Sequence, residues 1–507
     1  MREAEQSQRD LVRAFTEGRV TGAPAPVERI DTHLSHVFLS GDRAFKLKRA
    51  IQLPFVDFSS REARRKACEA ELVNQPMGRA LYLEALPITQ DSGGFRLGGE
   101  GSAVDWVVAM RRFEQAQQFD RLAARGALTR AMIEEAAEAI ARAHELAPVS
   151  EQAGQAVHYR GVIEGLRRTE EHGARRIGLE PGSPALFERL EQELARIARP
   201  IEERRRHGKV RRGHGDLHLR NICMYENKPL AFDAIEFDES LATVDVLYDF
   251  AFLLMDLRRV GLAEHANAAM NRYWDVAGER EEALALLPFF TSLRAAVRMA
   301  VAVEAGELEE AQSYRLLGLQ LLQHEEPRLI AIGGLSGTGK TAVAQAVAPR
   351  LPGPAGARVL RSDVLRKRKL DLRIDQKAAL AAYTAERRAE TYRDLIGDAA
   401  RAVEAGATVI ADATFVESAA RTEVAAAAGR AQFHPYWLQA STNVRLSRVS
   451  GRTGDASDAG VEVAARQAEP ADIAIAWMRL DANRPVSAIA DDIMSDLAST
   501  GVRVRMQ

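Results

Sequence analysis

The chain has 507 residues, 46% hydrophobic and 28% charged, with 69 Lys and Arg against 71 Asp and Glu. At about 150 residues per domain the length predicts roughly two to four domains, and a net charge of −2 gives no global reason to expect a nucleic-acid or membrane partner. The two cysteines, Cys68 and Cys223, exclude a disulfide framework and a multi-cysteine zinc site and fit a reducing compartment.

No run approaches the roughly 18 apolar residues of a membrane span; the richest is 250–255. The opening MREAEQSQRD is too polar for a secretory signal. A soluble, cytoplasmic, multidomain protein is expected.

Residues 1–29 predict a short polar helix and a Pro/Gly/Ala linker. Residues 36–39 and 43–48 flank a Ser-Gly-Asp turn and predict a β-hairpin. Residues 59–75, rich in Arg, Glu and Ala, predict a helix. Residues 88–97 and 103–113, on either side of a Gly-rich turn, predict a second hairpin. Together they make a small α/β lobe over 30–113. The pattern is then helical over 114–325, interrupted by HGDLHLRN and a hairpin within 221–237. The polar HEEPRL marks a boundary. Over 326–507, apolar strands at 329–332, 358–360, 408–411 and 432–438 alternate with Ala-rich helices, as in a doubly wound parallel sheet with crossover helices.

Two constellations carry chemistry. His214-Gly215-Asp216-Leu217-His218-Leu219-Arg220-Asn221 is followed by a strand ending at Asp233. A kinase-type site needs one Asp to orient and deprotonate a hydroxyl, and an Asn and a second Asp to hold Mg²⁺; loop-then-strand order supplies all three. The second constellation is Gly334-Leu335-Ser336-Gly337-Thr338-Gly339-Lys340-Thr341, which fits G-x-x-x-x-G-K-[ST] between an apolar strand and an Ala-rich helix. Its amides and helix N-terminus suit phosphates, Lys340 the terminal phosphates, and Thr341 Mg²⁺. Asp363, just past the next strand, faces the same sheet end and is the candidate base, with Arg366 as an anion partner; the alternative is that Asp363 only caps a helix. Asp412 ends a further strand and suits a Mg²⁺ contact or a cap. Arg445, Arg448 and Arg452 share one helix face before the polar Thr453-Gly454-Asp455-Ala456-Ser457-Asp458, which reads as an arginine lid or as a solvated basic face.

The C-terminal motifs, over about 328–507, resemble the small P-loop kinases: polynucleotide 5′-hydroxyl kinases, gluconate kinases, chloramphenicol phosphotransferases and zeta toxins. The resemblance implies phosphoryl transfer from ATP to a hydroxyl, with Asp363 as base, Lys340 and Thr341 as phosphate and metal contacts, and Arg448 and Arg452 in the lid. The first half, over about 30–320, resembles the aminoglycoside and choline phosphotransferases, which share the bilobal protein-kinase fold. That implies Asp216 as base, Asn221 and Asp233 as metal ligands, and a nucleotide-anchoring lysine on a strand paired with a helix glutamate. Lys46 is favoured over Lys48, which lies on the same strand face, and Glu71 over Glu69. The 107–111 strand would supply the hinge that contacts adenine. Two departures stand out: Thr32-His33-Leu34-Ser35-His36 occupies the place of a G-x-G-x-x-G loop, and no tryptophan follows Asp233. The whole arrangement resembles uncharacterised aminoglycoside-phosphotransferase-like proteins fused to a P-loop kinase.

Elsewhere, the basic run 204–212 reads as a helix end or an anion-attracting patch. Asp245 and Asp249 are expected to brace the catalytic loop by accepting hydrogen bonds. His33 and His36 lack a third ligand at metal spacing. The expected cofactors are ATP and Mg²⁺. The expected partner is a small-molecule hydroxyl acceptor or an RNA or DNA 5′ end. The alternatives are a polynucleotide kinase with an accessory half, an ATP-binding regulator without turnover, and a drug-inactivating kinase.

Overall fold

The computed structural model describes residues 2–53, 56–75, 77–179, 184–374, 376–377, 384–451, 460–470, 473 and 477–504. They form two compact units, one of 1–159 with 201–253, the other of 160–200 with 254–507.

The first unit begins with helix α1 (Arg2–Thr16), strands β1 (Val27–Asp31), β2 (Ser35–Ser40), β3 (Arg43–Lys48), β4 (Gln52–Leu53) and β5 (Val56–Asp57), and helix α2 (Arg61–Val73). Strands β6 (Tyr82–Asp91), β7 (Gly94–Leu97) and β8 (Ala103–Arg111) complete a sheet of order β1-β2-β3-β8-β6-β7. Alternation along β3 sends Phe45 and Leu47 to one face and Lys46 and Lys48 to the other. On the first face, Leu11, Val12 and Phe15 of α1 pack with Phe38, Phe45 and Val107. The expected helix forms and a stretch without regular elements leads to β1, but the helix is packed rather than separate: α1 covers the back of the sheet, and Gln8 donates to Lys48 O (2.8 Å). Its apolar stripe is short enough to be read as polar overall.

The second hairpin also differs from expectation. Residues 88–97 are not one strand. They turn at 91–94, where β6 pairs β7, and β8 pairs β6 on its other side. The Gly-rich stretch joins strands that are not neighbours.

Helices α3 (Phe119–Ala124), α4 (Arg130–Leu146), α5 (Ala156–Ile177) and α6 (Pro184–Arg206) follow in the chain, the 160–200 part of α5 and α6 belonging to the second unit. Next come β9 (Val210–Arg212), β10 (Ile222–Tyr225), β11 (Lys228–Ala231), α7 (Glu239–Ala242), β12 (Thr243–Asp245) and α8 (Val246–Arg259). β10 and β11 form the expected hairpin; β9 and β12 form a second pair that the all-helical reading past 242 misses.

The second unit contains α9 (Ala263–Ala277), α10 (Leu287–Ala305) and α11 (Leu308–Leu321). They are followed by β13 (Arg328–Gly334), α12 (Lys340–Val347), β14 (Arg358–Arg361), α13 (Ser362–Lys369), α14 (Ala385–Glu404), β15 (Val409–Asp412) and α15 (Ser418–Ala427). Strand β16 (Gln432–Gln439), helices α16 (Thr442–Ser450) and α17 (Val461–Arg466), strand β17 (Met478–Asp481) and helix α18 (Val486–Val504) close the chain. The sheet is parallel, of order β14-β15-β13-β16-β17. Ile330, Ile332, Val343, Val347 and Ile493 build its core. The short β17 escapes the apolar-run criterion because it reads Met-Arg-Leu-Asp.

Among the described residues one stretch, Glu281–Ala305, is long and apolar enough to cross a membrane, contrary to expectation. Thr291, Ser292, Arg294 and Arg298 break the run in the sequence. Its apolar window is 78% buried, as expected of a core helix.

Candidate active sites

In the first unit, sheet, α2 and catalytic loop converge on a chain of buried charges. Lys46 Nζ donates to Glu71 Oε1 (2.7 Å) and also pairs with Asp233. Lys48 Nζ lies 2.5 Å from Glu71 Oε2 and pairs in turn with Glu236. The two lysines share one glutamate because period-2 spacing puts both on the face that α2 covers. Lys46 alone joins the helix glutamate to the expected metal-binding Asp233. Glu69, the alternative, pairs with Arg65 on the exposed side of α2.

Burial opposes charge on all these groups, but the pairing wins for most of them. The Asp233, Glu71 and Glu236 carboxylates hold the Lys46 ammonium well above its ordinary value, and the two ammoniums hold Glu71 and Asp233 below theirs. At Glu236 burial dominates and its carboxyl is raised. Asp233 takes φ 65°, in the left-handed region that Asp enters more readily than most residues; Tyr82 Oη accepts its N–H at 3.0 Å.

The catalytic loop hangs from Asp249. Its two oxygens accept the N–H groups of His214 (2.8 Å) and Gly215 (2.7 Å), and His144 Nε2 lies 3.0 Å away. This is the expected brace. Asp245 instead accepts from Leu247 N and pairs with Arg204 (2.7 Å), so this part of the basic run serves the fold. Gly215 has φ 83°, which favours glycine. Asn221 Nδ2 donates to Asp216 O (2.9 Å) and Oδ2 (3.0 Å), so its amide oxygen is the atom that could face a cation. That oxygen and the Asp233 carboxylate are hard donors suited to Mg²⁺.

The hinge expectation fails for 107–110. Val107, Val108, Ala109 and Met110 pair with β3 on one side and β6 on the other, so their backbone groups are engaged in the ladder. Between β1 and β2, Thr32 Oγ1 accepts from Ser35 N (3.0 Å) and donates to Ser35 O (3.0 Å). A tight side-chain-closed turn therefore stands where a glycine loop would. His36 pairs with Asp31 (2.7 Å), and no metal-type cluster of His, Cys, Asp and Glu occurs among the described residues.

The second site opens at the carboxyl ends of β13, β14 and β15, around a cavity of about 770 Å³. Gly334, Leu335, Ser336, Gly337, Thr338 and Gly339 bridge β13 to α12, where Lys340 and Thr341 begin the helix. A side chain on Gly337 would collide with Arg445 O at 2.5 Å, so glycine lets α16 lie on the loop. Lys340 Nζ donates to Leu335 O at 3.2 Å. Thr341 Oγ1 donates to Asp412 Oδ2 at 2.6 Å, a hydroxyl–carboxylate pair fit for a hard divalent cation. Burial pushes the Asp412 carboxyl up, against the pull of Lys340 and Arg361.

Asp363 lies in the first turn of α13, after the cap residue Arg361, and Arg366 Nη1 donates to it at 2.7 Å. Both line the cavity, so the cap reading of Asp363 does not hold. Arg448 Nη1 donates to Thr338 O at 3.2 Å, and Arg445 is buried beside Gln467, so α16 is no solvated basic face. Arg452 and the Asp455–Asp458 stretch lie outside the described residues.

Sequence reasoning missed three groups. Glu236 pairs with Lys48; its signal was a carboxylate three positions after Asp233. Tyr392 holds Thr414 Oγ1 and Phe415 N, both at 2.9 Å, as a wall of the cavity. Gln467 Oε1 accepts from Ser336 N at 2.8 Å, on the phosphate loop itself; nothing local in the sequence marks it.

Comparison with known proteins finds a family match in each half of the chain. Residues 82–287 match the family model of the phosphotransferase enzyme family, and residues 329–472 match that of an AAA domain. An uncharacterised protein of Mycobacterium tuberculosis is 28% identical over 455 residues, covering 86% of this chain and 88% of the relative. Among solved structures, a choline/ethanolamine kinase family protein from Mesorhizobium loti (15% identity, TM-score 0.37) covers 62% of this chain and 98% of its own. A gluconokinase from Sinorhizobium meliloti (18% identity, TM-score 0.27) covers 36% of this chain and 99% of its own.

Proposed function

We propose that this chain, in which a phosphotransferase-family domain precedes a P-loop kinase-type domain, transfers the γ-phosphoryl of Mg-ATP to a hydroxyl at each of two sites. The observation that carries the reading is Lys46 bridging Glu71 and Asp233 beside the Asp216–Asn221 pair. In the first site Lys46 holds phosphate oxygens, Asn221 and Asp233 hold Mg²⁺, and Asp216 orients the acceptor hydroxyl and takes its proton. In the second, the 334–339 amides and Lys340 cradle the phosphates, Thr341 and Asp412 hold Mg²⁺, and Asp363 takes the proton. Arg366, Arg448 and Arg452 neutralise charge on the transferred group. Mg²⁺ supplies charge neutralisation across the phosphates in both.

The acceptor is a small hydroxyl compound, and the compartment is reducing. In support of the latter, the chain has only two cysteines, Cys68 and Cys223, and both are free and buried. A metabolite-pool screen with γ-labelled ATP tests the function. Labelled products should appear with wild type; Asp216→Asn should remove one set and Asp363→Asn the other. Labelling of 5′-hydroxyl oligonucleotides, lost in Asp363→Asn, would instead identify a nucleic-acid end kinase. A second reading, nucleotide binding without turnover in the first half, is favoured by the side-chain-closed Thr32–Ser35 turn. It predicts that Asp216→Asn changes no product.

A further inference from the structure

The outer edge of the P-loop sheet is closed by side chains rather than by another strand. β14 pairs β15 on one side only, and an edge strand leaves a row of N–H and C=O groups unpaired. Two of the outward groups are Ala357 O and Val359 N, and one amide on α9 meets both; Val359 O accepts from Arg358 Nη1 at 3.2 Å. Asn271 Nδ2 donates to Ala357 O at 3.3 Å, and Asn271 Oδ1 accepts from Val359 N at 2.7 Å. A primary amide offers a donor and an acceptor side by side, as the peptide of a neighbouring strand would. One turn earlier, Asn267 Nδ2 donates to Ala355 O (2.7 Å) and Ala357 O (2.9 Å).

Asp275, one turn later, pairs with Arg358 Nη2 at 2.7 Å, while Arg358 Nε donates to Glu281 at 3.2 Å and Nη1 to Asn271 Oδ1 at 3.1 Å. Spacing of four puts 267, 271 and 275 on one helix face. Asn267, Asn271 and Arg358 are all buried.

The clasped strand runs directly into Arg361-Ser362-Asp363, whereas the phosphate loop leaves β13, with β15 between them. The clasp therefore grips the strand that carries the candidate base and does not touch the strand that carries the nucleotide loop. We propose that Asn267 and Asn271 are positioning residues for Asp363: α9 fixes where β14 ends, and so where the Asp363 carboxylate meets the attacking hydroxyl. This rests on the reading of Asp363 as the base. Displacement of a catalytic group by about 1 Å can cost on the order of 100-fold in rate, so the clasp should be felt in turnover.

The test uses the full chain carrying Asp216→Asn, so that only the second site reports, and follows release of labelled phosphate from Mg-ATP with water as acceptor. Asn271→Leu should lower kcat about tenfold or more, with KM for ATP within about twofold, because the nucleotide strand is not touched. Asn271→Asp keeps the acceptor for Val359 N and Arg358 and should fall between. Should Asn271→Leu not fold, Asn267→Ser, which removes the Ala355 and Ala357 bonds without adding bulk, should show the same split to a smaller degree. An unchanged kcat, or a kcat loss matched by an equal rise in KM, overturns the proposal. Asp363→Asn in the same background separates the two readings. If it slows hydrolysis and the asparagine variants do not, the clasp alone is refuted. If it does not slow hydrolysis, the assignment of Asp363 falls, and the positioning role with it.

Discussion

The two candidate sites hold their anion-binding groups in opposite ways. In the first unit the lysines are buried and already paired: Lys46 with Glu71 and Asp233, Lys48 with Glu71 and Glu236. A phosphate entering there would have to share Lys46 with the protein carboxylates already on it. In the second unit the phosphate loop offers backbone amides around an open cavity, with Lys340 resting on a carbonyl of its own loop. A buried ion network resists the loss of any one member, because the remainder is an uncompensated charge. A loop of amides depends less on any one side chain for its fold. Ligand binding and folding should thus be entangled in the first site and separable in the second.

The largest expected effect follows from breaking the network. Lys46→Met should destabilise the first unit by about 3–5 kcal/mol, read by denaturant unfolding. Lys340→Met should leave stability within about 0.5 kcal/mol, while nucleotide affinity of the second site, read by titration calorimetry, falls about 100-fold. If both lysines cost the same stability, the contrast is wrong.

A pH experiment probes the second unit's own buried charge. Burial raises the Glu281 carboxyl to about 7, against the pull of Arg358 and with Asp398 and Asp275 adding to the rise. A carboxyl raised in the folded state binds more protons folded than unfolded. Its stability contribution is therefore fully present below its unfolded value and lost as pH rises from about 4.5 through 7. The shift of about 2.5, at 1.36 kcal/mol per pH unit, makes that loss about 3 kcal/mol. Glu281→Gln should flatten the slope in unfolding measured from pH 4.5 to 7.5; an unchanged slope would assign the titration to another group.

The smallest effect concerns Gln467, whose amide oxygen occupies a loop N–H. Gln467→Ala removes an acceptor that competes with phosphate, worth about 0.5–1.5 kcal/mol. Nucleotide affinity of the second site should rise about two- to tenfold, by the same calorimetry. A fall instead would make Gln467 a ligand contact.

What was legible in the sequence was local. HGDLHLRN, the strand to Asp233 and the phosphate loop are short segments whose residues act where they stand. The parallel sheet followed from alternation of apolar runs and Ala-rich helices. Lys46 and Lys48 could not be separated, because alternation reports the face and not the partner; both in fact reach Glu71. The docking of α1, the place of β17 and the pairing of β6 with β8 depend on contacts distant in sequence. Asn267 and Asn271 left a faint trace, two amides spaced by four on a face of Ala, Met and Trp. Such a trace marks burial but not what the amides meet.

The amide clasp on β14 has a consequence for dividing the chain. A gene cut at the sequence boundary near 325 would release a fragment with a raw β-edge and an Arg358 stripped of Asp275 and Glu281. Such a fragment should stick to its own copies rather than work alone. With α9 covering that edge, cutting the chain near 325 should separate the P-loop sheet from a border it relies on.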